Sequence, residues 1–106
     1  MTEKISNYKK IIEEEIELLG YTSLRYSVFQ GEKNYSEYQV RIEYTENDYE
    51  VYLTGERASV YGKRKYNDFF SAYKDFMYRI QSQVITNRKH VKNGEPPEYP
   101  CSLWEK

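Results

Sequence analysis

Apolar and polar positions alternate with period two between residues 35 and 53, and the rest of the chain is organised around that stretch. Tyr38, Val40, Ile42 and Tyr44 share one side, while Glu37, Gln39, Arg41 and Glu43 share the other. Turn-forming Thr45, Glu46, Asn47 and Asp48 follow, after which Tyr49, Val51 and Leu53 resume the apolar side and Glu50, Tyr52 and Thr54 the polar side. This pattern predicts a β-hairpin with one dry face. Such a hairpin is marginal alone, so further strands or helices must cover it.

The flanking sequence supplies both. Ile5, Tyr8, Ile12, Ile16 and Leu19 recur at spacings of three and four, with Ile11 and Leu18 widening the stripe, and predict a helix stopped by Gly20 and capped by Thr2 or Ser6. Residues 22–29 alternate again and predict a first strand, turned by Gly31 and Asn34 into the hairpin. Residues 58–61 predict a short fourth strand with Ala58 and Val60 facing inward, ended by Gly62. A second helix is predicted over residues 67–92, capped by Asn67 or Asp68, with Phe70, Tyr73, Met77, Ile80, Val84 and Val91 on its apolar stripe. Short connections favour pairing between sequence neighbours. The expected fold is therefore α+β, in the order α-β-β-β-β-α. Its four-stranded antiparallel meander carries both helices on the face of Tyr38, Val40, Ile42, Val51 and Leu53. Residues 1–106 read as a single domain. Its proline-rich tail, residues 94–106, is expected to dock back through Leu103 and Trp104, because an indole is costly to leave in water.

Composition narrows the function classes. A charged fraction of 31% is balanced by periodic apolar and aromatic residues, which argues for a folded chain. No apolar run approaches the roughly 20 residues that span a bilayer and no signal-like segment opens the chain, so a cytoplasmic location and no membrane partner are expected. The lone Cys101 agrees with a reducing compartment. His90 stands without a second histidine or a cysteine at ligand spacing, and the five glycines are too dispersed for a phosphate loop. No catalytic, cofactor or metal residues are therefore assigned, and an enzyme is not expected. The carboxylates of the hairpin have no visible source of the burial that would raise their pKa towards a general acid's range.

Charge and tyrosine point instead to a protein partner. Residues 32–56 carry Glu32, Glu37, Glu43, Glu46, Asp48, Glu50 and Glu56 against Lys33 and Arg41, and a basic cluster, Arg57, Lys63, Arg64 and Lys65, follows in what reads as a loop. An acidic sheet repels phosphates, so no nucleic-acid partner is expected. Thirteen tyrosines exceed what one core of this size uses, and tyrosine is favoured at interfaces. The expected partner-binding surface is the outer sheet face, formed by Glu37, Glu43, Glu50, Tyr52 and Tyr61. Glu13, Glu14, Glu15 and Glu17 on the first helix and the basic cluster are the next surfaces to consider.

Several segments resemble a known family. These are Tyr8-Lys9-Lys10-Ile11-Ile12-Glu13-Glu14-Glu15, then Gly20-Tyr21-Thr22-Ser23-Leu24-Arg25-Tyr26, the hairpin, and the closing Leu103-Trp104-Glu105. Together they resemble the small bacterial immunity proteins of polymorphic toxin systems, in particular the immunity protein 59 family. The resemblance implies a cytoplasmic protein that binds and blocks the C-terminal domain of a cognate toxin. A monomer or weak homodimer without cofactors is expected. The alternative reading is an adaptor or regulatory binding domain.

Overall fold

The computed structural model describes residues 3–31 and 35–105; the expected cap at Thr2 and turn residue Asn34 lie outside them. The element order is α1 (Glu3–Leu19), β1 (Tyr26–Val28), β2 (Val40–Thr45), β3 (Asp48–Thr54), a 3-10 turn (Glu56–Ala58), β4 (Val60–Tyr66), α2 (Phe69–Lys92) and a closing 3-10 turn (Ser102–Glu105). This is the α+β order read from the sequence. The sheet order is β1-β2-β3-β4.

The hairpin takes the register that its alternation demands. Val40 faces Leu53 and Ile42 faces Val51, and the two-residue turn at Glu46 and Asn47 has positive φ at both positions. That turn matches the right-handed twist of paired strands. Val40, Ile42 and Val51 are fully buried beneath Ile5, Ile12 and Ile16 of α1 and Phe76, Ile80 and Val84 of α2. Tyr8 ties the helices together by stacking on Phe69, with ring centroids 3.8 Å apart. Gly20 ends α1 at φ 76, and the Asp68 carboxylate caps α2 by accepting from the Ser71 amide at 2.9 Å. Ser6 lies within α1 and does not cap it.

Three details depart from the sequence expectation. The first strand shrinks to three residues and runs parallel to β2, pairing Tyr26 with Val40 and Val28 with Ile42, so the sheet is mixed and not an antiparallel meander. Gly31 and Tyr35, which lie between the two strands in sequence, both meet Arg41 on the outer face of the sheet, so no tight reversal joins the strands. Ala58 lies in the 3-10 turn and Val60 is exposed, so neither faces inward. The fourth strand does not stop at Gly62. It continues through Lys63, Arg64 and Lys65, which form a strand and no loop. Gly62 adopts φ 66 inside a bulge, where Gly62 and Lys63 together oppose Tyr52. A residue without a Cβ lets the strand kink there and go on pairing.

The tail packs against α2. Tyr99, Leu103 and Trp104 are buried, and the Trp104 indole N–H donates to the Tyr99 carbonyl at 2.6 Å. Buried Asn87 both accepts from the Glu98 amide and donates to the Glu98 carboxylate. Tyr99 also receives the Arg25 amide, fastening the segment before β1 to the tail, and burial pushes its phenol up to about 12.

Candidate functional site

The outer sheet face, expected to meet a partner, is itself covered. Arg41 opposes Tyr52 and Glu43 opposes Glu50 across β2 and β3. Arg41 and Tyr52 are 0% exposed, Glu43 1% and Glu50 5%. Among the described residues, Gly31 and Tyr35 contribute to the cover. The Gly31 amide donates to Glu43 at 2.9 Å, Arg41 Nη2 donates to the Gly31 carbonyl at 2.7 Å, and the Tyr35 ring lies 4.8 Å from the Arg41 guanidinium.

Inside this cover Arg41, Glu43 and Tyr52 satisfy one another, whereas Glu50 Oε1 and Ser27 Oγ are buried without a hydrogen-bond partner among the described residues. Arg41 Nη2 meets Glu43 Oε2 at 2.9 Å, and Arg41 Nε donates to the Tyr52 hydroxyl at 3.2 Å. Tyr52 in turn donates to Glu43 at 3.1 Å, and Gln39 accepts from Arg41 Nη1 at 2.6 Å. Burial pushes the Glu43 carboxyl above its ordinary value, against the opposing pull of Arg41, Gly31 and Tyr52. Burial likewise pushes the Tyr52 phenol strongly upward. Directly opposed carboxylates destabilise a sheet. Here Glu43 is taken by Arg41, while Glu50 lies 3.5 Å from Lys63 and 3.7 Å from Lys65 of β4. The Gly62 bulge sets Lys63 there, and also 4.9 Å from the centre of the Tyr52 ring.

The five expected contact residues therefore do not form one surface. Glu43, Glu50 and Tyr52 belong to the buried network. Glu37, half-buried, accepts from the Arg57 amide and fixes the 3-10 turn. Tyr61 pairs with Leu53, so it lies on the helix side of the sheet and not beside Tyr52. It is 49% exposed and lines a groove of about 470 Å³ between β4 and α2, with Leu53, Tyr78, Arg79, Ser82 and Thr86. Burial and the nearby Glu98 push the Tyr61 phenol up, against Arg79. His90 lies at the same groove, with Nδ1 3.6 Å from Glu95.

Sequence reasoning missed Tyr78, 71% exposed, and the similarly open Ile85 on α2. The signal was present: both sit seven residues apart and off the apolar stripe of the helix, where a folding role is absent. On α1, Glu13, Glu14 and Glu17 are exposed beside an open Leu18, and among the described residues they make no ion pair. Among the described residues there is also no cluster of acidic, histidine or cysteine side chains that could hold a metal, and no helix long and apolar enough to cross a membrane.

Comparison with known families decides the relationship: the profile of immunity protein 59 matches residues 5–105. The chain belongs to the immunity protein 59 family. No match was found among curated proteins or among solved structures. The match covers both helices, the whole sheet and the docked tail, so the elements that carry Tyr61, Tyr78 and the buried Arg41 network all fall within the family's span.

Proposed function

We propose that this chain is a stoichiometric, non-catalytic inhibitor that binds the C-terminal domain of a cognate bacterial toxin in the cytoplasm. The observation that carries this reading is the family match over residues 5–105. The tyrosine-bearing part of the expected contact face is retained in altered form, with Tyr61 and Tyr78 at the rim of the β4–α2 groove. The open acids Glu13, Glu14 and Glu17 lie apart from it on α1, which meets the sheet at β1. Exposed tyrosines beside a concave, partly apolar groove are the kind of anchor on which protein interfaces concentrate their energy.

Co-expression with the C-terminal domain of the toxin encoded beside the gene tests this reading. Growth is expected to be rescued, and the two proteins to co-purify at one to one. Tyr61→Ala and Tyr78→Ala are expected to accelerate dissociation, since anchors act on residence time more than on encounter. Persistent toxicity with no complex would rule the reading out.

A further inference from the structure

The free edge of β4 offers a second kind of contact. β4 is the last strand of the sheet, and among the described residues its backbone bonds to no element other than β3. Val60 to Lys65 are all exposed. The edge also carries cations: Lys63 and Lys65 lie 3.5 and 3.7 Å from the Glu50 carboxylate, Arg64 stands between them in the strand, and Arg57 precedes it. Arg64 pairs with Val51 and so faces the helix side, whereas Lys65 pairs with Glu50 and faces the other, which places positive charge on both sides of the edge.

An uncovered strand edge is a template for another strand. The charges limit which strand it accepts. Antiparallel pairing of two copies centred on Arg64 would set Lys63 against Lys65 and Arg64 against itself, and opposed like charges destabilise such a pair. A second copy is thereby disfavoured. Alongside the edge, Tyr61 and Tyr78 stand open at the groove, ready to receive side chains on the helix side of an added strand.

Resting on the toxin-binding reading above, we propose that β4 captures an extended, acidic segment of the partner as a fifth strand. Backbone hydrogen bonds hold the segment, and Arg64 and Lys65 select it by charge.

The test has two arms. In the first, amide hydrogen exchange of the full chain is followed with a synthetic peptide of alternating valine and glutamate, about ten residues long. A lysine-for-glutamate version serves as control. Exchange within residues 60–66 is expected to slow by roughly tenfold or more with the acidic peptide only, and Arg64→Glu is expected to remove that protection. Equal protection by both peptides, or by neither, would overturn the proposal, as would self-association of the chain that protects the same amides. In the second arm the toxin domain replaces the peptide. Binding with β4 amides protected supports the proposal. Binding with β4 exchange unchanged overturns it and leaves the inhibitor reading standing. Failure of the toxin domain to bind at all overturns the inhibitor reading, and with it the toxin as the occupant of this edge.

Discussion

On one side the sheet buries Val40, Ile42 and Val51 under two helices, and on the other it buries Arg41, Glu43 and Tyr52, with Gly31 and Tyr35 packed over them. Both sides are dry, but they depend on different physics. Apolar packing is roughly proportional to area and tolerates volume-conserving change. A buried polar network stabilises only while every member keeps its partner, because a stranded group retains its full desolvation cost. The outer face is thus a second core, with a different sensitivity to mutation.

The strongest way to break the comparison is on the apolar side. Val51→Glu places an unpaired charge among hydrocarbon side chains, and its cost rivals the whole ~5–15 kcal/mol that holds a domain together. No cooperative thermal transition is expected by circular dichroism; a wild-type melt would mean that Val51 is not in the core. On the polar side, Arg41→Met strands Glu43 and is expected to cost about 3–5 kcal/mol in urea unfolding. Adding Glu43→Leu to that variant should recover part of the loss. If the single variant unfolds like wild type, the network is not holding Gly31 and Tyr35 against the sheet.

How far these cores were legible differs in the same way. The inner face could be read from Val40, Ile42, Val51 and Leu53, because an alternating apolar pattern has one low-energy solution. The outer face was misread, because Glu43, Glu50 and Tyr52 look identical in sequence whether water or a loop covers them. Only the placement of Arg41 opposite Tyr52 hinted at internal pairing. Tyr61 was assigned to the wrong side because the turn closed by Gly55 and Ser59 sets Val60 against Thr54 and Tyr61 against Leu53, and the strand was ended early because a lone glycine, Gly62, within a basic run resembles a strand end. The same glycine hid the strand character of Lys63 to Lys65. The parallel β1 was missed because ordinary turn formers such as Gly31 precede β2 and read as a tight reversal, whereas β1 and β2 run in the same direction.

At the tail, where the helix side of the sheet is closed off, Trp104→Ala is expected to lower stability by about 3 kcal/mol, the low end for a truncated core aromatic. Unchanged melting would show that the tail adds nothing to the core. A smaller effect is expected at the start of α2. The Ser71 amide holds the Asp68 carboxyl below its ordinary value of 3.8, so its folded pKa is depressed. That contribution is present above the unfolded value and is lost as pH falls through the folded one. Asp68→Asn keeps an acceptor without the charge, so its stability should fall less steeply than wild type as pH drops below 3.8. Parallel curves would mean that the carboxylate does not titrate with folding.

The smallest expected change, none at all in affinity, tests the central claim that the outer face is structure and the β4–α2 side is contact surface. Tyr52→Phe keeps the ring and deletes the hydroxyl shared by Arg41 and Glu43. Its unfolding free energy should fall by about 1–2 kcal/mol, while its dissociation rate from the toxin domain stays at the wild-type value and that of Tyr61→Ala rises. A Tyr52→Phe protein that is as stable as wild type yet releases the toxin faster would contradict the account and return the outer face to the interface.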